Sequence, residues 1–285
     1  YFFVATLAEA VALRQLLSGA VIYVLGGCKP GSESAFIDHR LIPVIYSYEM
    51  LQHWLGFCAL MQEAHPCVLK MDTGMTRLGL SKLDMDQLIA NLPQLSFFNP
   101  VMFMSHLACA DEPEHPQNLE QLHCFKDALE RVRSHFPQIK ASLANSSGSF
   151  LGADYHFDMV RIGAALYGIN PQPGDQNPLE QVLDLKLPVL QVRTLHESAG
   201  VGYGATVELP SGRRLAVVAG GYADGLHRTL GGRPVGDIGG VEVQAIGRMS
   251  MDSCIFDVTQ VSAPSPSYVQ VIGGRLTLDY LMSAN

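Results

Sequence analysis

The sequence lacks the charge pattern of a nucleic-acid-binding protein. Lys and Arg together number 19 against 27 Asp and Glu, which gives a formal net charge of −8. Binding to a phosphate backbone requires clustered Lys and Arg, and the chain has no such cluster. We therefore expect no nucleic-acid partner.

Long hydrophobic runs and targeting signals are also absent. No apolar run reaches the roughly 18 residues that a membrane-spanning helix needs, and no signal peptide is recognisable. We expect a cytoplasmic protein that does not bind membranes. The chain has no initiating Met and opens on the apolar residues 1–4. A strand as the very first element leads us to expect further residues upstream.

Cysteine pairs at metal-binding or redox spacing are missing. None of the six cysteines is part of a C-x-x-C motif, and they occupy positions 28, 58, 67, 109, 124 and 254. The chain has 285 residues, of which 48% are apolar and 16% charged. We therefore expect reduced thiols in a large core rather than a disulfide framework.

Short apolar runs alternate with helix-like stretches in the first part of the chain. Most of these runs are apolar on both faces, which is typical of a parallel sheet covered by helices. Thr6 and Glu9 have the spacing of a capping box, and residues 48–64 and 118–135 have helical periodicity. Seven strands are predicted, at residues 2–5, 21–25, 43–47, 67–71, 101–105, 140–144 and 159–163.

The repeated strand–helix units predict an α/β fold with right-handed crossovers. A closed barrel of this type needs eight strands, so seven strands indicate a (β/α)8 TIM-type barrel that lacks its first strand. Residues 170–178 form a connector rich in Pro, Asn and Gly. We therefore place the barrel at residues 1–177.

Residues 178–285 have a different pattern and predict a mostly β C-terminal domain. Turn residues at 210–212 and 231–232 separate short apolar segments. The predicted strands are 187–195, 214–218, 241–245, 253–258 and 268–272.

Barrel enzymes place their chemistry at the carboxyl ends of the strands. Arg77 follows the predicted strand 67–71 and could bind a carboxylate through two hydrogen bonds, or form a structural ion pair with Asp72. His106 ends the next strand. It could stack on or hydrogen-bond near a cofactor, serve a structural role, or form a metal set with Asp111, Glu112 and His115.

The next two strand ends are suited to phosphate. Asn145 and Ser146 precede a small-residue turn into a helix, where backbone N–H groups favour an anion, although an ordinary helix cap would have the same sequence. Gly163 allows close backbone approach at the last strand. In the second domain, Tyr203 lies between two glycines, where it is either an aromatic residue at a strand bulge or an acid/base group.

Seven sequence strings occur in the order found in the alanine racemase family, which the chain resembles over nearly its whole length. They are KMDTGM (70–75) with RLG (77–79), SH (105–106), ANS (144–146), MVR (159–161) with G163, YGAT (203–206), GYADG (221–225), and GR (247–248) with MD (251–252). The resemblance implies a fold-type III pyridoxal-phosphate barrel with an added β domain. It also implies a homodimer whose active sites are completed across the interface.

The implied reaction is the interconversion of L-alanine and D-alanine by two-base proton transfer at the α-carbon. It supplies D-alanine for peptidoglycan in the bacterial cytoplasm. The resemblance implies three catalytic groups: Tyr203 from the partner subunit as one acid/base, His106 hydrogen-bonded to it, and Arg161 facing the pyridine nitrogen. The residues implied to hold pyridoxal 5'-phosphate are Ser146, Asn145, Gly163, Ala164, Arg161 and Arg77.

The substrate site is implied to consist of Arg77, Tyr222, Met251 and Asp252, the latter two from the partner subunit. Lys70 matches a lysine that is often carbamylated in this family, which would orient Arg77. No metal ion is implied.

Two elements of the family pattern are missing from the sequence. The family's Schiff-base lysine lies in a lysine–alanine–asparagine-like motif at the end of the first barrel strand, and none of the lysines 29, 70, 82, 126, 140 and 186 is in that context. A C-terminal tyrosine that contacts the phosphate also has no counterpart, because Tyr280 lies in a different context. We therefore expect that these 285 residues belong to a longer protein and do not racemise alanine alone.

Several other functions remain open from the sequence. A racemase of serine or of a broader set of amino acids would share the motifs. A non-catalytic pyridoxal-phosphate-binding protein would resemble the barrel alone, and an amino-acid decarboxylase would have its own motif at Tyr203. A metal-dependent hydrolase requires His106, Asp111 and His115 to converge.

Overall fold

The computed structural model describes residues 1–226 and 235–283. The chain divides into two compact units. The first consists of residues Tyr1–Ala165 and Pro171–Gln176, and the second of Leu166–Asn170 and Asn177–Asn285. In the described parts of the chain, no helix has both the length and the apolar character to cross a membrane.

The first unit is a parallel sheet whose strands lie side by side in chain order. Helices connect the strands and cover the sheet. The strands are β1 (Phe2–Val4), β2 (Ile22–Val24), β3 (Leu41–Ile45), β4 (Pro66–Lys70), β5 (Asn99–Met104) and β6 (Lys140–Ser142). The helices are α1 (Leu7–Leu16), α2 (Glu33–Asp38), α3 (Tyr48–Met61), α4 (Lys82–Asn91) and α5 (Pro116–Arg133).

The sheet curls so that its first and last strands approach each other. Lys140, at the start of β6, donates a hydrogen bond of 3.0 Å to the hydroxyl of Tyr1, which precedes β1. On the concave face, an apolar cluster has its buried members on β2 to β5: Tyr23, Val44, Val68, Met102 and Met104. A larger core lies under the helices and includes Phe36, Trp54 and Phe125. The prediction of a TIM-type barrel that lacks a strand is confirmed in this curled half-barrel.

The prediction of a seventh strand at 159–163 is wrong, because no strand is formed there. The segment does follow β6: the N–H groups of Asp158 and Arg161 donate to the carbonyl oxygens of Ala141 and Ala144 at 3.1 and 3.0 Å. Between these two bonds the carbonyl of Met159 accepts from the Ser142 hydroxyl at 2.7 Å. A side chain thus takes the position that a backbone N–H would occupy in a regular ladder.

Helix α1 begins as the sequence predicts. The backbone N–H of Glu9 donates to the Thr6 hydroxyl at 3.3 Å, and the N–H of Thr6 donates to the Glu9 carboxylate at 3.0 Å. These reciprocal bonds form a capping box, which satisfies two of the unpaired donors at the start of the helix.

The second unit is a closed antiparallel barrel, as expected for a mostly β domain. Around the barrel the strands follow in the order β10 (Arg214–Ala219), β13 (Ser253–Asp257), β12 (Val241–Ala245), β11 (Val235–Ile238), β14 (Tyr268–Ile272) and β7 (Leu185–Thr194). A separate hairpin, β8 (Ala199–Val201) with β9 (Val207–Leu209), and the helix α6 (Leu278–Ser283) complete the unit.

The core of the closed barrel contains Ala216, Val218, Phe256 and Val269. The predicted turn at 210–212 connects β9 to β10, whereas the predicted turn at 231–232 lies outside the described residues. All six cysteines of the chain are free thiols, as expected from their spacing.

Arg14 is a buried cation that ties α1 to two neighbouring loops. Its guanidinium donates to the carbonyl oxygens of Leu17 and Ser18, both at 3.0 Å, His39 at 2.8 Å and Arg40 at 2.9 Å. These carbonyl groups would lose their partner if the side chain were replaced by an apolar one, and an unsatisfied buried polar group is costly.

We predict that Arg14→Met lowers the free energy of unfolding of the first unit by about 2–4 kcal/mol. Urea unfolding followed by Trp54 fluorescence measures this, because the single tryptophan lies in the core of that unit. The control is Arg131→Met, which removes an exposed pair with Asp86 of 2.7 Å and should cost less than about 1 kcal/mol. Equal losses in the two variants would contradict the prediction.

Candidate active site

The loop after β4 folds around the carboxylate of Asp72. One oxygen accepts from the backbone N–H groups of Gly74, Met75 and Thr76 at 2.9, 2.9 and 3.1 Å, and the other accepts from the N–H of Arg77 at 3.1 Å. Burial raises the pKa of Asp72, but the four N–H donors outweigh burial and hold it below its ordinary value.

This arrangement leaves the Arg77 side chain exposed. Among the ion pairs of the described residues, Arg77 and Asp72 do not appear. The structural ion pair that the sequence left open is therefore not formed. Gly79 closes the loop with φ 156°, and a Cβ there would lie 2.3 Å from the backbone nitrogen of Asp72. Only glycine fits this close approach.

Arg161 connects the carboxyl ends of β5 and β6. Its guanidinium donates to the Ser142 hydroxyl and the Ser105 carbonyl, both at 2.6 Å, and to the Leu143 carbonyl at 3.1 Å. A fourth contact of 3.3 Å runs to Nδ1 of His106. Burial lowers the pKa of Arg161 to about 10, so the group remains a cation at neutral pH.

The imidazole of His106 is held neutral by its surroundings. Burial, followed by the charges of Arg161, Arg77 and Lys70, lowers its pKa to about 4. Because arginine can only donate, Nδ1 of His106 is the acceptor in the contact with Arg161. The proton of the neutral ring is therefore on Nε2, which is left as a hydrogen-bond donor.

Lys70 is the last residue of β4 and is 6% exposed. The other five lysines are all exposed. Burial and the charges of Arg77 and Arg161 lower the pKa of Lys70 to about 8, while Asp72 acts in the opposite direction. The amine is therefore partly unprotonated at neutral pH, and the unprotonated form of a lysine is the nucleophilic one.

At the end of β6 two backbone N–H groups converge on the Ser146 hydroxyl. The N–H of Gly163 lies 3.0 Å from the oxygen and that of Ala165 lies 3.2 Å from it. Ala164 lies between these two donors, and Asn145 caps the next turn by accepting from the N–H of Gly148 at 2.8 Å. A Cβ on Gly163 would have no heavy atom within 4 Å, so the space beside these donors is open.

The metal set left open by the sequence is not formed among the described residues, because no group of three His, Cys, Asp or Glu side chains is arranged to hold an ion there. His115 instead caps α5 and accepts from the N–H of Gln117 at 3.3 Å. His106 lies beside Arg161, whose charge would repel a metal cation.

In the second unit, Tyr203 is on a 3-10 turn after β8, not at a bulge inside a strand. Its side chain is 69% exposed, and both flanking glycines have φ 74°.

Two other loops of the second unit lie side by side. The N–H of Tyr222 donates to the Ser250 carbonyl at 3.2 Å and that of Ala223 to the Met251 carbonyl at 3.0 Å. These bonds bring the loop of Tyr222 beside that of Met251 and Asp252.

The sequence motifs give no role to Ser105, which they contain, and they do not include Ser142 or Gln121. All three residues make hydrogen bonds to the elements that carry Arg77, His106 and Arg161. Gln121 could have been identified from the helical pattern, because Asn118, Gln121 and Phe125 have the spacing of one buried face of α5. A glutamine at an inward position of an amphipathic helix must find partners inside the protein.

The curled parallel sheet has three cations, Lys70, Arg77 and Arg161, at the carboxyl edge of its strands, and backbone N–H groups converge beside them at Ser146. Together with the β barrel that follows, these features define a two-domain barrel enzyme. The family model of the alanine racemase N-terminal domain matches residues 1–171, and that of the alanine racemase C-terminal domain matches residues 182–284. The chain belongs to the alanine racemase family, which confirms the resemblance of its motifs.

Relatives of known sequence and structure support this family assignment. The alanine racemase of Rhodospirillum rubrum is 43% identical over 284 residues, which cover 98% of this chain and 75% of that protein. The crystal structure of alanine racemase from Bartonella henselae with covalently bound pyridoxal phosphate superimposes with a TM-score of 0.89 at 32% identity, covering 99% of this chain and 79% of the other. The biosynthetic alanine racemase of Pseudomonas aeruginosa has a TM-score of 0.85 at 31% identity, with coverages of 99% and 78%.

We predict that His106 makes the first unit less stable in acid. The pKa of His106 is about 4 in the folded protein and about 6.5 in the unfolded chain, so the unfolded state binds an extra proton between these values. Relative to His106→Gln, the wild-type free energy of unfolding should fall as the pH drops from about 6.5 to about 4 and then level off. Urea unfolding by Trp54 fluorescence measures both proteins, and a pH-independent difference would contradict the assignment.

Proposed function

We propose that the protein interconverts L-alanine and D-alanine with pyridoxal 5'-phosphate as its cofactor and thereby supplies D-alanine for peptidoglycan. The proposal is based on a cluster of three cationic side chains, Lys70, Arg77 and Arg161, which surround a neutral His106. An anionic cofactor and an amino-acid carboxylate are the ligands that such a site favours. The Bartonella henselae relative, solved with covalently bound pyridoxal phosphate, supports the choice of cofactor.

The residues at the ends of β6 and of the following segment fit the cofactor phosphate. Ser146 and the N–H groups of Gly163 and Ala165 already converge, and the open space at Gly163 admits a ligand. Asn145 and the backbone of Ala164 border the same turn. Backbone N–H groups and small side chains in this arrangement favour phosphate.

Arg161 would face the pyridine nitrogen of the cofactor. Because its guanidinium has only donors and remains charged, it would keep that nitrogen unprotonated. The chemistry that pyridoxal phosphate supplies when bound is delocalisation of negative charge from the α-carbon of an amino acid. A weaker electron sink disfavours transamination and leaves racemisation as the main outcome.

Racemisation needs a base on one face of the α-carbon and an acid on the other. Tyr203 of the partner subunit would be one of these groups in a homodimer with shared sites. A free tyrosine titrates near about 10, so it needs positive charge nearby to act as a base. The His106–Arg161 pair supplies that charge, and the Nε2 proton of His106 is available to bond the tyrosine oxygen.

Arg77 would bind the substrate carboxylate through two parallel hydrogen bonds, since Asp72 leaves its guanidinium free of an ion pair. Tyr222, with Met251 and Asp252 from the partner subunit, would line the substrate site and its entrance. In this proposal residues 1–177 are the cofactor-binding barrel and 178–285 the β domain of a cytoplasmic bacterial enzyme. Racemisation of serine or of a broader set of amino acids is the alternative substrate choice.

Racemisation of alanine by the protein isolated from its natural cells tests the function. We expect D-alanine from L-alanine, measured by chiral chromatography after addition of pyridoxal phosphate. Tyr203→Phe should lower the rate by about 100-fold or more, since it removes one acid/base group. Tyr268→Phe, at an exposed tyrosine of β14, is the matched control and should keep full activity. Faster turnover of L-serine would favour the alternative, and full activity of Tyr203→Phe would contradict the role of that residue.

Lys70 is assigned as a carbamylated lysine rather than as the cofactor's anchor. The ammonium group first loses one proton, and addition of CO2 to the neutral amine then forms an N–C bond and releases a second proton. The cation thereby becomes an anion near Arg77 and Arg161. The ammonium group of Lys70 repels Arg77 and Arg161, whereas a carbamate would attract both and orient the Arg77 guanidinium.

We predict a carbamate signal in the carbon NMR spectrum of the protein in labelled bicarbonate. The signal should be lost in Lys70→Gln and kept in Lys82→Gln, whose lysine is exposed. Borohydride reduction of the protein isolated with its cofactor provides a second readout. A pyridoxyl group on Lys70 would contradict the assignment.

A further inference from the structure

Gln121 lies in the interior of the first unit, and neither the sequence motifs nor the proposed reaction assign it a role. It is a residue of α5 and is 0% exposed. Its side-chain oxygen accepts from the N–H of Ala108 at 2.8 Å, and its nitrogen donates to the Thr73 hydroxyl at 3.0 Å and the His106 carbonyl at 2.9 Å. Both amide protons are used, and the partners fix which end is oxygen and which is nitrogen.

A chain of hydrogen bonds with one fixed direction begins at this amide. The Ser105 hydroxyl donates its single proton to the Met71 carbonyl at 2.8 Å. It must therefore accept in its 2.8 Å contact with the Thr73 hydroxyl, which in turn accepts from Gln121. Aligned hydrogen bonds of this kind polarise and strengthen one another in a buried setting.

The two loops that Gln121 joins each carry a group of the site. Thr73 belongs to the loop folded on Asp72, which continues directly to Arg77. On the other side, the carbonyl bonded by Gln121 is that of His106 itself, and the ring of His106 contacts Arg161. A single side chain therefore links the backbone of His106 to the loop of Arg77.

We propose that Gln121 is a positioning residue that fixes the Arg77 guanidinium and the His106 ring relative to each other. It does so because its amide group is hydrogen-bonded to both the loop after β4 and the loop after β5. This inference deepens the proposed function and rests on it where the readout is racemisation. Gln121 acts through backbone and hydroxyl groups and does not touch the reacting atoms. Catalysis depends on position so strongly that a shift of about 1 Å in a binding or catalytic group can cost about 100-fold in rate.

The chain offers a matched control on the same helix. Asn118 is also a buried amide of α5, but its side chain donates to the carbonyls of Glu112 and Pro113, at 2.9 and 3.4 Å, in the connection before the helix. Gln121→Met and Asn118→Leu each replace a buried amide by an apolar side chain of similar size. They should cause comparable losses of stability.

We expect Gln121→Met to lower kcat/KM for alanine by about 100-fold, with a raised KM because Arg77 no longer meets the carboxylate. Asn118→Leu should keep kcat and KM within a few-fold of the wild type. Equal kinetic losses in the two variants would mean that Gln121 serves stability alone, which would overturn the inference.

A titration without substrate or cofactor separates this inference from the proposed function. Burial, followed by the charges of Arg161, Arg77 and Lys70, lowers the pKa of His106 to about 4. In Gln121→Met the loop of Arg77 is released and its charge acts more weakly on the ring, so NMR should show the pKa of His106 rising above about 4, whereas Asn118→Leu should retain the wild-type value. An unchanged pKa of His106 in Gln121→Met would overturn the inference. If the wild type does not racemise alanine, the proposed function fails while this titration still decides the role of Gln121.

Thr73→Val provides a second test if Gln121→Met does not fold. This isosteric change at a half-buried residue breaks the chain of hydrogen bonds at one link. The pKa of His106 and kcat/KM should shift in the same directions as in Gln121→Met and by smaller amounts. Wild-type values of both quantities in Thr73→Val would overturn the inference.

Discussion

The guanidinium of Arg161 is the group on which the arrangement of the first unit's site depends. It binds the carbonyl of Ser105, the hydroxyl of Ser142 and the ring of His106, and so fixes the ends of β5 and β6 relative to each other. Among the described residues it forms no ion pair with a carboxylate. Its N–H groups are bonded by neutral acceptors, which are oxygen atoms and Nδ1 of His106. These acceptors satisfy the donors but leave a net positive potential.

That potential sets the protonation of the neighbouring groups. Together with burial it keeps His106 neutral and makes part of Lys70 unprotonated. Among the described residues, the carboxylate that raises the pKa of Lys70 belongs to Asp72, and four backbone N–H groups already bind it. The site thus combines an excess of positive charge with one neutral imidazole, and a ligand with several negative groups is what balances it.

The sequence predicted the fold where the local pattern and the packing agree. Strands β2 to β6 are apolar runs flanked by helices, and a parallel sheet places their carboxyl ends at one edge, so Arg77, His106 and Ser146 could be grouped without a structure. The segment 159–163 has the same apolar pattern but forms no strand, and the Met159 carbonyl accepts from the Ser142 side chain rather than from a backbone N–H. Gln121 was missed since its partners, Thr73 and His106, are 48 and 15 residues away in the chain, and no spacing rule connects them.

The closed barrel of the second unit has a consequence for how such a protein can change during evolution. All six strands are paired on both sides, so the barrel has no open edge to which another strand could be added. Tyr203, Tyr222 and Met251 all lie on connections between its strands rather than on the strands themselves. Connections of this kind tolerate insertions and substitutions better than paired strands do, so these segments can diverge while the barrel is inherited unchanged.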